Sequence, residues 1–310
     1  MIGMTTSTRV RTAVLAAALT VLTPFAAVSA STPPSPGNAT AVAANVAASS
    51  KINSLPSSLL ASVSGATNDS AWVNYPALGT GCSSATSCVF GDTSSSTTIV
   101  LFGDSHAAMW LPALDQIASS HHERLVVLWH GMCPVATLDV NAPAFGYPNA
   151  CNNARAQSIS LIHSLAPKLV IIGEKTAGVP GMHGTYTAKD WLPSLKASIN
   201  AIKSPSTKVA VLEDTASFPQ LVPTCLSIHP TSVQKCGVYW STTKPGLQAT
   251  QQQAATATGS LYVQTDKWFC TKTCSPVIGS FIAYMDGTHI SASYSVYLSG
   301  VLDSALKKDL

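Results

Sequence analysis

A series of short apolar runs, separated by longer segments of helical character, constrains the fold more than any other feature of the sequence. The apolar runs span residues 97–103, 125–130, 168–174, 208–214 and 260–266. They are apolar almost without interruption, which is typical of strands buried on both faces of a parallel sheet. Helices are predicted between and after them, at residues 107–120, 152–165, 190–202, 248–257 and 291–308. This alternation predicts an α/β fold, a three-layer α/β/α domain with a mainly parallel, five-stranded sheet.

The N-terminal segment differs from the rest of the chain, and we predict a secretory signal peptide at residues 1–30. Two arginines precede an apolar run, residues 13–28, that ends in small residues. A membrane anchor is disfavoured, because the run is shorter than the roughly 20 apolar residues that a spanning helix needs. Residues 31–50 are rich in alanine, serine and proline and carry no charge. We predict a disordered linker there and one folded domain at residues 51–310.

Charge limits the classes of function further. The chain has a formal net charge of +3, which falls to +1 without the signal peptide, because that segment holds two arginines and no acidic residue. A nearly neutral surface disfavours a nucleic-acid partner, whose phosphates select a basic stripe. The leader predicts a secreted, extracytoplasmic protein.

Eight cysteines suit an oxidising compartment, in which an even count can close into disulfides. Eight thiols permit many pairings, so the count alone does not fix the connectivity. Nearness along the chain suggests four disulfides that clip loops: Cys82–Cys88, Cys133–Cys151, Cys225–Cys236 and Cys270–Cys274. A zinc site built on Cys270 and Cys274 is the alternative. No second close pair with matching histidines follows, so we predict no metal.

Ser105 lies at the end of the first predicted strand, in the stretch "LFGDSHAAMW" (101–110). Ligands of open parallel sheets bind beyond the carboxyl ends of the strands. A serine that also opens a helix lies where unpaired backbone N–H groups and the helix dipole favour a developing negative charge, which suits a nucleophile. Gly103 permits a tight turn, and Asp104 can hydrogen-bond the backbone of the loop. The alternative is an ordinary helix cap.

A serine hydroxyl is a weak nucleophile unless a base takes its proton, so the hypothesis requires a histidine and a carboxylate that orients it. Asp286 and His289, three residues apart in "YMDGTHISASY" (284–294), supply both. A short loop can bring the carboxylate back to one imidazole nitrogen and leave the other nitrogen for Ser105. Here too the alternative is a capped helix start, with Ser291 as the cap.

Together these stretches resemble the SGNH hydrolase family, also called GDSL esterases. More specifically, they resemble the SGNH domains fused to membrane acyltransferases of acyltransferase family 3, and the stand-alone secreted relatives of those domains. The resemblance covers residues 72–308 and is carried, in order, by "CSSATSCVFGD" (82–92), "FGDSHAAMWLPAL" (102–114), "GMCPV" (131–135), "VPTCL" (222–226) and "FCTKTCSPVIGSFIAYMDGTHIS" (269–291). The order and spacing of these motifs favour the catalytic interpretation over the helix caps.

The resemblance implies a flavodoxin-like sheet and a catalytic triad, with Ser105 as nucleophile, His289 as general base and later general acid, and Asp286 as the orienting group. It also implies an oxyanion hole built from the backbone of Ser105 and of Gly131, the glycine after the second strand. The family's usual third donor, an asparagine after the third strand, is missing, because Lys175 occupies that position. Loss of one such donor costs on the order of 10²- to 10³-fold in rate.

The candidate pocket residues are Asp104, His106, His130 and Lys175. His106 belongs to the family's GDSH variant. We interpret it as a wall or positioning residue, because the side chain after Ser105 at a helix start points away from the serine hydroxyl. His130 ends the second strand and can line the pocket. Lys175 either replaces the missing donor or forms a strand-end ion pair with Glu174, and the ion pair is the favoured interpretation.

The resemblance therefore implies a secreted serine esterase or O-acyltransferase that acts on O-acyl groups, chiefly O-acetyl groups, of cell-envelope glycans through an acyl-enzyme. An acylated glycan or a small ester is the implied substrate, and the triad chemistry requires no cofactor. The missing asparagine leaves a second hypothesis open. In that hypothesis the chain is a catalytically weak or inactive envelope-binding accessory protein that partners a membrane acyltransferase.

Overall fold

The structure, a computed structural model, describes residues 34–240 and 247–310, so the predicted signal peptide lies outside the described residues. The α-helices of the described part are α1 (Ala39–Ser49), α2 (Ser57–Leu60), α3 (Ala71–Asn74), α4 (Ser105–Ala108), α5 (Leu111–Ser120), α6 (Asn149–Leu165), α7 (Ala188–Ile202), α8 (Val222–Ile228), α9 (Gln248–Ala257) and α10 (Ala292–Leu306). The strands are β1 (Gly81–Cys82), β2 (Val89–Gly91), β3 (Thr98–Gly103), β4 (Arg124–His130), β5 (Leu169–Gly173), β6 (Pro180–Gly181), β7 (Gly184–Thr185), β8 (Lys208–Leu212), β9 (Val238–Tyr239), β10 (Leu261–Val263), β11 (Thr273–Cys274), β12 (Val277–Ile278) and β13 (Phe281–Ile282).

The main sheet contains five parallel strands in the order β4-β3-β5-β8-β10. Numbered along the chain, these five strands have the order 2-1-3-4-5, which is the flavodoxin-like arrangement. All five predicted strands are present, and the predicted fold class is confirmed. The sheet also contains β1 and β2, which pair antiparallel with β4. The sequence did not predict them, because strands of two and three residues show no periodicity.

Helices cover both faces of the sheet and divide the core in two. Ile99 and Leu101 of β3 lie in one core cluster with side chains of α1, α5 and α10, whereas Val100 and Phe102 lie in the other with side chains of α6, α7 and α9. Successive side chains of a strand point to opposite faces, so an uninterrupted apolar strand supplies both cores. None of the helices in the described ranges combines the length and the apolar content that crossing a membrane requires.

The prediction of a disordered linker at residues 31–50 is wrong for its described part, where α1 forms. Asn38 caps this helix by accepting a backbone N–H of the first turn, and Val42 and Val46 are buried one turn apart. Alanine has the highest helix propensity, and two valines at positions i and i+4 form an apolar stripe that packs against the domain. The compact unit therefore includes this helix rather than starting after it.

All eight cysteines form disulfides, and the pairs are the four predicted ones, Cys82–Cys88, Cys133–Cys151, Cys225–Cys236 and Cys270–Cys274. No thiol is left to bind zinc, so the alternative interpretation of Cys270 and Cys274 is wrong. Residues 34–240 and 247–310 contain no cluster of three or more histidine, cysteine, aspartate or glutamate side chains arranged to hold a metal ion.

Glu174 follows β5 and packs its carboxylate against α7. Its two oxygens accept the N–H of Ala136 at 3.1 Å and the indole N–H of Trp191 at 3.0 Å. No ion pair joins Glu174 to Lys175 in the described part of the chain, so the strand-end ion pair favoured from the sequence is wrong. Burial raises the pKa of Glu174 to about 7, although the two donors act in the opposite direction.

Replacing Cys133 and Cys151 by alanine is expected to lower the free energy of unfolding by about 3 kcal/mol, because their disulfide closes a loop with a separation of 18 residues. The matched variant Cys270→Ala/Cys274→Ala opens a loop with a separation of 4 residues and is expected to cost about 2 kcal/mol. Urea unfolding of both variants measures which of the two losses in the free energy of unfolding is larger. A larger loss for the shorter loop would contradict the chain-entropy explanation.

Glu174→Gln is expected to weaken the pH dependence of stability. The pKa of Glu174 in the folded state, about 7, lies above the ordinary value of 4.5, so the folded state binds this proton more tightly than the unfolded state does. The free energy of unfolding therefore falls as the pH rises from 4.5 to about 7, and glutamine removes this contribution because it does not titrate. Thermal unfolding at acidic and at alkaline pH measures the slope. Equal pH dependence of stability in the wild-type protein and Glu174→Gln would contradict the raised pKa of Glu174.

Candidate active site

The candidate site lies at the carboxyl edge of the sheet, between β3 and β5, where the direction of winding reverses. Ser105 follows β3, Lys175 follows β5, and Asp214 follows β8. Parallel strands end at the same edge, so these residues come from distant parts of the chain to one place. Reversal points of this kind are the usual ligand sites of open α/β sheets.

Two glycines let the helix that begins at Ser105 pack against the end of the sheet. Gly103 and Gly173 are partners in the last register position of β3 and β5. A Cβ atom on Gly103 would lie 1.7 Å from the carbonyl oxygen of Gly173, and one on Gly173 would lie 2.8 Å from Cα of Ala107. No side chain fits at either position, so this close approach determines where α4 starts.

Asp104 links the start of α4 to the loop after β5. Its Oδ1 accepts the N–H of His106 at 2.8 Å, as the cap of α4, and its Oδ2 accepts the N–H of Lys175 at 2.9 Å. Burial raises the pKa of Asp104, although His106 and these N–H groups act in the opposite direction. One carboxylate thus holds the start of α4 and the loop after β5 in a fixed relation.

Ser105, His289 and Asp286 form one chain of hydrogen bonds. Nε2 of His289 lies 2.8 Å from Oγ of Ser105, and Nδ1 lies 2.7 Å from Oδ2 of Asp286. A carboxylate only accepts hydrogen bonds, so Nδ1 carries the ring proton and Nε2 of the neutral ring accepts from the serine hydroxyl. The structure therefore brings together the three residues predicted as a triad, although the serine and the histidine are 184 positions apart.

The short loop of Asp286 sets the orientation of the histidine. Oδ1 of Asp286 accepts the N–H groups of Thr288 and His289, each at 2.7 Å. Burial alone would raise the pKa of Asp286, but His289 and these N–H donors lower it to about 2. The loop lies close to Phe218, whose carbonyl oxygen would be 3.1 Å from a Cβ on Gly287. The carboxylate is therefore ionised at ordinary pH and is fixed before any substrate binds.

A small cleft of about 130 Å³ opens at Ser105. It is lined by Asp104, Ser105, Met132, Lys175, Gly178, Val179, Pro180 and His289. Met132, Val179 and Pro180 give the cleft apolar walls. Typical pockets for drug-sized ligands have volumes of roughly 300–1,000 Å³, so this cleft suits a much smaller chemical group.

Gly131 and His130 lie at the end of β4, and neither lines this cleft. The carbonyl oxygen of Gly131 accepts the hydroxyl of Tyr147 at 2.6 Å. The N–H groups of Gly131 and Ser105 donate to no acceptor in the described residues, which leaves both amides open for the predicted oxyanion hole. His130 pairs with Gly81 of β1, and its Nε2 is buried without a hydrogen-bond partner in the described part.

Two backbone amides of the loop after β5, those of Lys175 and Thr176, are already occupied. The N–H of Lys175 donates to Asp104, and the N–H of Thr176 donates to Oδ2 of Asp214 at 2.8 Å. Lys175 nevertheless lines the cleft. Of the groups in these two residues, the Lys175 ammonium is therefore the remaining candidate for the missing third donor.

His106 lies beside the triad and does not line the cleft. Its Nδ1 donates to Oδ1 of Asp214 at 2.6 Å, and its ring centroid lies 5.0 Å from that of His289. Trp72 contacts the same His289 ring, at 5.2 Å between centroids. Sequence reasoning missed Asp214 and Trp72. Asp214 ends a predicted strand at the ligand-binding edge, which is the signal that identifies it.

Protein-family comparison matches residues 74–304 to the SGNH domain that is described as fused to AT3 domains. A comparison with curated proteins found no match. Among solved structures, the periplasmic domain of the lipopolysaccharide acetyltransferase of Salmonella ser. Paratyphi A is 17% identical, with a TM-score of 0.51. That match covers 68% of this chain and 82% of the other.

Two further solved structures are similar. A GDSL-like lipase from Bacteroides thetaiotaomicron is 15% identical over 69% of this chain and 90% of that chain, with a TM-score of 0.43. A carbohydrate acetylesterase from Sinorhizobium meliloti is 13% identical over 69% of this chain and 100% of that chain, also with a TM-score of 0.43. Because the family match extends from residue 74 to residue 304, the chain belongs to the SGNH family, in the form whose domain is found fused to AT3 domains.

Proposed function

We propose that the protein is a secreted serine esterase or O-acyltransferase that acts on O-acetyl groups of cell-envelope glycans. The observation that carries this proposal is the hydrogen-bond chain from Asp286 through His289 to Ser105. Membership of the SGNH family supports acyl-transfer chemistry at this serine. The four disulfides support an extracytoplasmic location, because such bonds persist in oxidising compartments.

In the first half of the reaction, Ser105 becomes acylated. Nε2 of His289 takes the hydroxyl proton while Oγ bonds to the ester carbonyl carbon, and the carbonyl oxygen becomes an oxyanion. Asp286 stabilises the imidazolium that results. The imidazolium then gives its proton to the oxygen of the leaving alcohol as the ester C–O bond breaks.

In the second half, water or a glycan hydroxyl attacks the acyl carbon. His289 takes the proton of the attacking group and delivers it to Oγ of Ser105 as the acyl–serine bond breaks. Attack by water releases a carboxylic acid, whereas attack by a sugar hydroxyl forms a new ester. Both outcomes use the same three side chains, so the triad supports either enzyme.

We assign stabilisation of the oxyanion to the N–H groups of Ser105 and Gly131. Neither amide has an acceptor in the described residues, which supports this assignment. The ammonium group of Lys175 serves as the third donor in the proposal, because Lys175 lines the cleft and a positive charge brought to the oxyanion stabilises it.

The size of the cleft supports a short acyl chain. At about 130 Å³, with Met132, Val179 and Pro180 as apolar walls, it suits the methyl group of an acetyl ester.

The proposed glycan substrate and the proposed membrane partner are inferred from the similar proteins described above. A fold neighbour is called a lipopolysaccharide acetyltransferase, and family members are fused to AT3 domains, so we propose an acylated envelope glycan as substrate and a membrane acyltransferase as partner.

An accessory protein without turnover is the second candidate function. The observation that favours it is Lys175 in the place of the family's asparagine. The complete hydrogen-bond chain from Asp286 to Ser105 opposes it. A measurement of turnover separates the two candidates.

Ser105→Ala is expected to lower kcat/KM for a small aryl acetate by roughly 10⁴-fold or more, because alanine removes the attacking oxygen. Ser119→Ala, a change at an exposed serine outside the cleft, is the matched control and is expected to keep the wild-type rate. Equal rates in the wild-type protein and Ser105→Ala would contradict the proposed enzymatic activity and favour the accessory protein.

The same purified protein, supplied with an acetylated glycan and an added sugar acceptor, separates the two enzymes. Release of acetate without acetylated acceptor indicates an esterase. Acetylated acceptor, absent when Ser105→Ala replaces the wild-type protein, indicates a transferase.

A further inference from the structure

A second histidine–aspartate pair lies directly beside the triad. Nδ1 of His106 donates to Oδ1 of Asp214 at 2.6 Å, and the two side chains are 1% and 0% exposed. Burial opposes charge on both groups, but the pair raises the pKa of His106 and lowers the pKa of Asp214. A buried ion pair often gives little net stability, because both groups lose their hydration. Stability alone is therefore a weak reason for this pair.

Asp214 joins three segments of the candidate active site. Its Oδ2 accepts both the N–H and the hydroxyl of Thr176, at 2.8 and 3.0 Å, in the loop that also supplies Lys175 to the cleft. Its Oδ1 accepts the N–H of Thr215 at 2.9 Å as well as the bond from His106 on α4. The hydroxyl of Thr215 in turn donates to the carbonyl oxygen of Thr288, next to His289, at 3.4 Å.

The ring of His106 also contacts the ring of the general base. Its centroid lies 5.0 Å from that of His289 at an interplanar angle of 61°, and Trp72 contacts the same ring at 5.2 Å and 79°. Nε2 of His106 is buried and has no hydrogen-bond partner in the described residues. The side-chain bond to Asp214 is therefore what fixes the orientation of the His106 ring.

We propose that the His106–Asp214 pair is a positioning unit, which holds the His289 ring and the loop after β5 in place relative to Ser105. The inference rests on the proposed function, because positioning matters only if His289 acts as a base. Small displacements of reacting groups can cost about 10²-fold in rate. Neither His106 nor Asp214 is assigned a contact with the substrate.

The kinetic test compares Asp214→Asn with Glu213→Gln. Glu213 is the adjacent buried carboxylate and accepts two backbone N–H groups, from Thr265 and Asp266. Its side chain has no hydrogen bond to α4, to the loop after β5 or to the loop of Asp286 and His289. Asp214→Asn is expected to lower kcat for an aryl acetate by about 10- to 100-fold, with KM within about threefold of wild type. Glu213→Gln is expected to keep kcat within about twofold, whatever it costs in thermal stability.

The spectroscopic test does not depend on turnover. Protein labelled with ¹⁵N-histidine is expected to show two protected, low-field imidazole N–H protons, one from His106 and one from His289. The signal that Asp286→Asn removes is assigned to His289. Asp214→Asn is expected to remove the His106 signal and to shift the His289 signal, whereas Glu213→Gln is expected to leave both in place.

Either a wild-type kcat in Asp214→Asn or an unshifted His289 signal would overturn the inference. If Asp214→Asn does not fold, His106→Gln replaces it under the same criteria, and failure of both variants to fold would assign the pair to stability alone and reject the positioning role. Failure of the proposed function gives a different result. In that case Ser105→Ala matches wild type, while the spectra still report whether Asp214 controls the His289 ring.

Discussion

The chemistry available to this protein depends on one chain of hydrogen bonds, in which the Asp286 carboxylate fixes the imidazole of His289 and the imidazole reaches Ser105 at 2.8 Å. The carboxylate also accepts two backbone N–H groups of its own loop, so its position does not depend on the histidine alone. A base held in this way needs little reorganisation when charge develops, which is the condition for efficient proton transfer.

The fold supports this chain of bonds by bringing separate loops to one edge of the sheet. The glycine pair at the ends of β3 and β5 brings α4 onto the sheet. Asp104 and Asp214 then join the loops that follow neighbouring strands, each through bonds to backbone N–H groups. Buried carboxylates that accept several donors are rigid anchors, because moving them leaves polar groups unpaired in the interior. The cleft at Ser105 is the space that these connections leave.

The architecture was predictable because its signals are local. Each strand of the parallel sheet is a nearly continuous apolar run, each disulfide joins cysteines that are near in sequence, and Asp286 and His289 occur in one short motif. The contacts of the predicted triad are present in the structure, and its catalytic role stays a prediction.

The features that were missed depend on contacts between distant residues. Asp214 pairs with a histidine 108 positions away, and no local pattern indicates that pair. Helix α1 has the composition of a spacer, and its place is set by contacts such as the bond from Asn45 to the hydroxyl of Tyr297. Composition therefore predicted disorder where tertiary packing forms a helix.

Covalent labelling with a fluorophosphonate, followed by mass measurement of the peptides, shows whether His289 activates Ser105, because this reagent reacts with a serine that a histidine activates. We expect one adduct per chain, on the peptide that contains Ser105, and labelling slowed by at least about 100-fold in His289→Ala. No adduct on Ser105 in folded protein, or equal labelling rates in the wild-type protein and His289→Ala, would contradict the activation of Ser105 by His289.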